Sequence, residues 1–278
     1  MEEFILQINC DDKKGLIYLI TQAVLAQNLN IINNLEFVEK ETNRFFMRTV
    51  IAGNLNPELL KNELFEKLPA NAQIKLGKKR KKNIVVLVSK EYHCLGDLLV
   101  RHHFGELKAH ILAVISNHEV LKTFSESFGI PFHYIPHLDK SREAHEEELL
   151  KTIAGYQPEF LVLAKYMRIL SDEFIRQYPD RIINIHHSFL PAFIGANPYR
   201  QAFERGVKII GATSHFVTNA LDEGPIIAQN VIPINHTQSI QEMAKAGRDV
   251  EKTVLAQSLR MVFEDRVFVS GNRAIVLE

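Results

Sequence analysis

The sequence predicts an α/β protein with two domains: a βαββαβ unit and then a doubly wound, mostly parallel sheet. Three observations support this prediction. Short strand and helix patterns alternate over the first 80 of the 278 residues. A basic run, GKKRKKN (77–83), then interrupts the pattern. Beyond it, nearly continuous apolar runs such as NIVVLVS (83–89) alternate with helical patterns, as expected of parallel strands covered on both faces.

The first domain is predicted from its local patterns. Asn56 is expected to cap the second helix by accepting a backbone hydrogen bond, and Pro57 suits the first helical position. The resulting order is βαββαβ, with both helices on one face of the sheet. The strand patterns are FILQINC (4–10), NIINNLEFVEK (30–40), RFFMRTVIAG (44–53) and AQIKL (72–76), and the helical patterns cover 16–27 and 56–68.

The basic run at 77–83 has two interpretations. It is either a patch for nucleic acid or for localisation, or a solvated linker between domains. The run is short and the chain has 33 basic and 33 acidic residues, so the sequence favours the linker. The domains are therefore placed at 1–80 and 84–278.

The second domain contains five further strand patterns, with helical patterns between them. In an open sheet of this kind, ligands bind beyond the carboxyl ends of the strands. The first strand runs into SKEYHCLGD and not into G-x-G-x-x-G, so no nucleotide cofactor is expected. A long helical pattern (239–265) then precedes a hairpin that turns at Ser270-Gly271-Asn272. The strand patterns cover 83–89, 110–117, 132–136, 160–165 and 181–186.

The composition argues against several classes of function. Formal net charge is +0 and the pI is about 7.2, which disfavours binding to nucleic acid by broad charge neutralisation. No apolar run approaches the roughly 18 residues that a membrane span needs. The start, MEEFILQINC, differs from a signal peptide, and Cys10 and Cys94 form no metal-ligand pattern, so a cytoplasmic protein is expected.

The segment NIHHSFLP contains the most informative polar residues. Asn184 and His186 are two apart at the end of a strand, so their side chains project to one side, whereas His187 is expected to face the other. Adjacent strand residues do not converge easily on one ion, and no HExxH spacing is present, so no metal is predicted. A metal site would need His186 together with His215 or Asp222.

Asn184 and protonated His186 can both donate hydrogen bonds to one carbonyl oxygen, which stabilises the negative charge that develops during nucleophilic attack. Asp222, in the turn LDEGP, can favour the protonated imidazole and accept a proton from water. The alternative for Asp222 is a simple turn residue, and the residues alone leave both open. Ser188 lacks a G-x-S-x-G elbow, so a local hydrogen bond is expected for it.

The three spaced motifs N-x-H-H-S-F-L-P, H-F-V and L-D-E-G-P resemble those of the folate-dependent formyltransferase fold, over most of residues 84–278. This resemblance implies that Asn184, His186 and Asp222 are the catalytic trio, with His215 as support. It also implies a folate substrate and no separate cofactor. The implied folate pocket comprises Met167, Arg168, Ile169 and Leu170 with His215, Asn219 and Glu223.

The first domain resembles an ACT domain, with CDDKKGLI (10–17) at its strand–turn–helix entry. An ACT domain ahead of a formyltransferase-like domain resembles the formyltetrahydrofolate deformylase family, as does VLVSKEYHCLGDLL. The implied reaction is hydrolysis of 10-formyltetrahydrofolate to tetrahydrofolate and formate, which feeds purine synthesis and one-carbon balance.

Two sequence features favour water over an amine as the formyl acceptor. The loop Ser89–Cys94 is bulky and lacks glycine, so no backbone nest for a phosphorylated amine is evident, although Lys90 can still bind phosphate as a point charge. His187 stands where the related transferases usually have proline.

The ACT resemblance leaves two roles open. The domain either assembles subunits into a homo-oligomer or binds an amino-acid effector near Asp11–Gly15, where Gly15 permits a tight turn beside a helix. The resemblance implies methionine and glycine as effectors.

Overall fold

A computed structural model describes residues 2–192 and 198–278 of the chain, which forms two compact units. The first unit extends to Arg80 and includes Asp265–Phe268 and Val276–Glu278, and the second comprises Lys81–Glu264 and Val269–Ile275. The division drawn from sequence assigned all of 84–278 to the second domain. The chain instead returns to the first unit, where the Phe268 ring lies 5.5 Å from that of Phe46.

The first unit is an antiparallel four-stranded sheet in the order β2-β3-β1-β4 with two helices. Alternate residues of the first strand (4, 6, 8 and 10) enter one core with the buried residues of both helices, as the period of a strand requires. The elements are β1 Glu3–Asp11, α1 Leu16–Ala26, β2 Asn30–Glu39, β3 Arg44–Ala52, α2 Pro57–Lys67 and β4 Gln73–Lys78.

The predicted cap of α2 is confirmed. The Asn56 side chain accepts a hydrogen bond from the Leu59 N–H at 3.3 Å, and Pro57 is the first helical residue. The linker predicted at 77–83 is shorter than expected. Strand β4 continues to Lys78 and the next strand begins at Lys82, so only residues 79–81 lie between them. Lys79 Nζ lies 2.6 Å from Glu3 Oε2, so acidic residues partly neutralise this run.

The second unit contains a seven-stranded sheet in the order β11-β10-β9-β8-β5-β6-β7. Its first seven elements are β5 Lys82–Val88, α3 His93–His103, β6 Ala109–Ser116, α4 Lys122–Glu126, β7 Phe132–Tyr134, α5 Arg142–Ala154 and β8 Phe160–Leu163. The rest are α6 Asp172–Gln177, β9 Ile182–His186, α7 Pro198–Arg205, β10 Ile209–Phe216, β11 Ile226–Pro233 and α8 Ile240–Phe263. The hairpin β12 Val267–Ser270 and β13 Arg273–Val276 completes the chain.

Strands β5 to β9 are parallel, which confirms the mostly parallel sheet that the sequence predicts. Every residue from Ile84 to Val88 is 0% exposed, because both faces of the central strand are covered. The chain leaves β5 toward β6 and later returns on its other side to β8, so the sheet has its topological switch point between β5 and β8.

Two elements of the second unit were not anticipated. The sequences of helix α7 and strand β11 have no regular apolar pattern. Strand β11 lacks one because it is an edge strand, paired antiparallel with β10 and exposed over part of its length. In the described part of the chain, no helix is both long and apolar enough to cross a membrane.

Candidate active site

Asn184 and His215 are paired residues on the neighbouring antiparallel strands β9 and β10. Their side chains meet, with 3.3 Å between Asn184 Nδ2 and His215 Nε2. The Nδ1 atom of His215 lies 2.9 Å from the Phe216 carbonyl oxygen, which only accepts, so Nδ1 carries the proton. The Nε2 atom therefore accepts from the Asn184 amide and fixes its orientation, leaving a second amide hydrogen available.

His186 lies two residues beyond Asn184, at the end of β9, and is 6% exposed. Its Nδ1 atom is 3.3 Å from Asp222 Oδ2. Its Nε2 atom is buried and makes no hydrogen bond to any residue in the described ranges. A buried polar atom of this kind is costly unless a ligand satisfies it, so Nε2 is the group that a substrate atom would meet.

The loop after β10 brings Asp222 to the two histidines. Gly224 holds the loop close to the strand: a Cβ there would lie 1.9 Å from the Phe216 carbonyl oxygen, so no other residue fits. Asp222 itself has a φ of 57°, a conformation that aspartate tolerates better than most residues. The turn thus has a structural role that places the carboxylate beside His186, and the catalytic interpretation of Asp222 stays a prediction.

The electrostatics keep Asp222 ionised and His215 neutral. Burial raises the pKa of Asp222, but the hydrogen bond and the charge of His186 oppose burial, and the pKa is lowered overall. Burial also lowers the pKa of His215, which agrees with an Nε2 atom that accepts from Asn184. The site therefore presents one carboxylate base and two hydrogen-bond donors.

These residues line a cavity of about 590 Å³. That volume lies within the range of small-molecule sites, roughly 300–1,000 Å³. Two apolar side chains of the loop after β8, Met167 and Ile169, are 58% and 62% exposed, as though a flat ligand were to cover them. The apolar lining comprises Leu163, Met167, Ile169, Leu170, Ile175, Ile185, Val217 and Leu221.

The cavity includes nearly all the residues singled out from sequence. The exception is Glu223, which is exposed and is not among the described lining residues. Its backbone N–H closes the turn by donating to the Ala220 carbonyl at 3.2 Å. The residues that do line it are Met167, Arg168, Ile169, Leu170, Asn184, His186, His215, Asn219 and Asp222.

The expectation that His187 faces away from the site is wrong. Strand β9 ends at His186, so the alternation of a strand no longer governs the next residue. The His187 ring lies 5.2 Å from the His186 ring and lines the same cavity. The local role predicted for Ser188 is confirmed, because its hydroxyl donates to the Ala192 carbonyl at 2.8 Å.

Sequence reasoning missed a buried ionic cluster beside the cavity, here called the Glu251 network: Glu251, His93, Lys165 and Tyr199. Glu251 Oε2 lies 2.8 Å from His93 Nε2 and 3.2 Å from Lys165 Nζ. The Tyr199 hydroxyl donates to Glu251 Oε1 at 2.6 Å. Its members come from three helices and the loop after β8, and the one local signal is Lys165, a lysine two residues beyond the buried strand β8.

Glycine makes the contact between Tyr199 and α8 possible, since a Cβ at Gly247 would lie 2.1 Å from the Tyr199 hydroxyl. Burial raises the pKa of Glu251, but the hydrogen bond from His93, the charge of Lys165 and the Tyr199 hydroxyl lower it to about 2. The carboxylate is therefore permanently charged at neutral pH.

The network also brings together three groups that are able to ligate a metal: His93, Cys94 and Glu251. Burial raises the pKa of the Cys94 thiol well above its usual range, so the thiol stays protonated. The Lys165 ammonium already supplies the positive charge beside Glu251. We interpret the cluster as an ion-pair network and not as a metal site.

The side chains of the loop after β5 make hydrogen bonds to neighbouring strand ends and then become buried. Ser89 Oγ donates to Asn117 Oδ1 at 2.8 Å and accepts from the Met167 N–H at 3.0 Å, so it joins the ends of three strands. Helix α3 then begins with His93 and Cys94, both buried. The loop after β8 is thereby anchored to the sheet.

Comparison with known proteins identifies the family of the chain. The formyl transferase family matches residues 82–259. A formyltetrahydrofolate deformylase of Haemophilus influenzae is 51% identical over 277 residues and covers 100% of both chains. The crystal structure of a formyltetrahydrofolate deformylase from Pseudomonas syringae is similar, with a TM-score of 0.95 and 39% sequence identity. The match covers 100% of this chain and 95% of the Pseudomonas chain.

A glycinamide ribonucleotide transformylase of Symbiobacterium toebii has a TM-score of 0.68 and 30% identity, and covers 71% of this chain and 94% of its own. The deformylases therefore match the whole chain, whereas this transformylase matches only part of it. The chain belongs to the formyltetrahydrofolate deformylase family.

Proposed function

We propose that this chain hydrolyses 10-formyltetrahydrofolate to tetrahydrofolate and formate, with Asn184, His186 and Asp222 as its catalytic residues. One observation carries the assignment of residues. The three side chains line the same cavity, and the buried Nε2 atom of His186 makes no hydrogen bond to any described residue.

The substrate's pterin ring lies against the loop after β8. Met167, Ile169 and Leu170 offer apolar surface, and the exposure of the first two is lost when a flat ring covers them. The polar edge of the ring is satisfied by backbone groups of this loop and by Asn219. His215 acts through Asn184, whose amide it holds.

The first chemical step is addition of water. Asp222 accepts a proton from a water molecule as the water oxygen bonds to the formyl carbon. The carbonyl π electrons move to the oxygen, and the resulting oxyanion is held by the free amide hydrogen of Asn184 and by Nε2–H of protonated His186. Both donors are in place before the reaction, so no reorganisation is needed.

The second step is collapse of the tetrahedral intermediate. The C–N10 bond breaks, its electrons go to N10, and N10 receives the proton that Asp222 took from water, through His186. Formic acid leaves and loses its own proton to solvent as formate. The trio is then in its starting protonation state, and atoms and charges balance.

Water is the acceptor that this cavity favours. A phosphorylated amine would approach a wall that carries two carboxylates, Glu91 and Glu251, and the loop before α3 offers no glycine nest. Arg248 Nε lies 3.7 Å from Glu91 Oε2, so its charge is shared with that carboxylate.

The test is formate release from 10-formyltetrahydrofolate without any added amine. We expect steady turnover, unchanged when glycinamide ribonucleotide is present. Turnover that depends on the amine and yields its formylated product would instead identify a transferase. Tight folate binding with neither product would identify a binding protein.

We further propose that the first unit is an ACT-like module that assembles subunits and senses amino acids. Its βαββαβ order and β2-β3-β1-β4 sheet support this proposal, as does the exposed segment at 13–15 before α1. Titrating activity with methionine and with glycine tests the sensing, and native mass spectrometry tests the homo-oligomer. A cytoplasmic enzyme whose formate supplies purine synthesis fits two buried free cysteines and this reaction.

A further inference from the structure

His187 is a cavity residue for which the proposed mechanism has no role. The centre of its ring lies 5.2 Å from the centre of the His186 ring and 6.2 Å from that of the Tyr199 ring. Within the described ranges 2–192 and 198–278, neither ring nitrogen of His187 hydrogen-bonds to protein. The imidazole is thus held by ring contacts while its polar atoms stay available to the cavity.

The position is also chemically suitable. His187 follows directly after His186 and lines the same cavity as Asp222. A water molecule that attacks a formyl group held at Asn184, His186 and Asp222 would therefore be close to the His187 ring. An ordered water needs two to four polar partners, and Asp222 supplies one. A neutral imidazole supplies another, with one nitrogen that accepts a hydrogen bond from water.

We infer that His187 is a water-positioning residue, which accepts a hydrogen bond from the nucleophilic water and directs its lone pair at the formyl carbon. The inference rests on the proposed hydrolysis. Asp222 remains the group that takes the proton, and His187 sets the direction of attack. Tyr199 holds the ring, and the Glu251 network holds Tyr199 through the hydrogen bond to Glu251.

The charges around His187 keep it neutral, as this role requires. Burial is the largest cause, and the charges of Lys165 and His186 act in the same direction, whereas Glu251 and Asp222 act against them; together they lower the pKa of His187 to about 4. The Tyr199 ring also faces His187, and it adds no charge. At neutral pH the accepting lone pair is therefore free.

Two variants test the role. His187→Phe keeps a ring for the contacts but removes both nitrogens, and His187→Gln restores a polar group. We expect His187→Phe to lower kcat about 100-fold, the usual cost of a misplaced reactant, with affinity for tetrahydrofolate within about twofold of wild type. His187→Gln should recover at least part of that loss. A His187→Phe enzyme with wild-type kcat would overturn the inference.

A second measurement separates water positioning from a structural role. With hydroxylamine as a competing nucleophile, the ratio of formohydroxamate to formate reports how well the site orients water. We expect His187→Phe to raise this ratio about tenfold, a change of about 1.4 kcal/mol between the two barriers. The exposed His236→Phe is the matched control and should leave the ratio unchanged. An unchanged ratio in His187→Phe would refute the role.

The pH profile gives a third readout. Protonation removes the accepting lone pair, so the ratio of wild-type kcat to His187→Phe kcat should be flat from about pH 6 to 8, fall to about half of that value near pH 4 and approach one only below that pH. Because Asp222 titrates in both enzymes, its effect cancels. A flat ratio down to that pH would contradict the inference. Absence of formate release by wild type would instead refute the proposed hydrolysis itself.

Discussion

Two buried carboxylates border the same cavity and differ in how they are held. Asp222 has an 11% exposed side chain and approaches two histidines at 3.3 Å and 3.7 Å. Glu251 has a 1% exposed side chain and contacts His93, Tyr199 and Lys165 at 2.8, 2.6 and 3.2 Å. Asp222 therefore has few and long contacts, whereas Glu251 has three close hydrogen-bonding or ionic partners.

The difference fits the roles proposed for the two groups, with Asp222 transferring a proton and Glu251 stabilising the structure. A carboxylate with three close partners gains little by accepting a proton, as the lowered pKa of Glu251 indicates. Asp222 has fewer and longer contacts, so it has room to accept a proton from water. Asp222 should thus matter most for rate, and Glu251 most for stability.

The largest effect is expected for Asp222→Asn, which keeps the shape of the side chain and removes the base. Formate release should fall by up to roughly 10⁴-fold, because general-base catalysis contributes about that much. The free energy of unfolding should change by less than about 1 kcal/mol. Near-normal formate release from Asp222→Ala would show that the mechanism is wrong.

Glu251→Ala should have the largest effect on stability. It leaves the Lys165 ammonium buried without its carboxylate, and breaking such a pair costs about 3–5 kcal/mol. Chemical denaturation measures the loss. Glu251→Gln is the matched control, since it keeps the volume and some hydrogen bonds and should cost less. If Glu251→Ala unfolds like wild type, the network is not structural.

Asn184→Ala removes one oxyanion donor, which typically costs roughly 100- to 1000-fold in kcat. Affinity for the folate should change little, because in the proposed binding mode the pterin ring contacts the loop after β8 and not Asn184. Steady-state kinetics and a binding titration separate the two quantities. A rise in KM at constant kcat would assign Asn184 to binding alone.

The smallest effect concerns acid stability. The pKa of Glu251 in the folded protein is about 2, below its ordinary 4.5, so its contribution is complete above about pH 4.5 and is lost as the pH falls toward 2. The loss amounts to about 3 kcal/mol at most. Urea titrations across this range should show it in wild type, and a similar slope in Glu251→Gln would count against this assignment.

The sequence was a good guide wherever short-range rules apply. The apolar run at 83–89 identified a central strand because a buried strand needs apolar residues on both faces, and Asn56-Pro57 located a helix start because capping is local. The two-residue spacing of Asn184 and His186 placed both at one site. It failed one residue later, at His187, because the strand had ended.

Spacing along the chain carries no information about contacts that packing creates. His93 and Glu251 are separated by 158 positions and meet within the second unit, where α3 and α8 lie together. Lys165 and Tyr199 complete that network from other elements. Propensity and periodicity act over a few residues, so they determined the strands, helices and the Asn184–His186 pair. The convergence of Asp222 on His186, and of α3, α7 and the loop after β8 on Glu251, was decided only by tertiary structure.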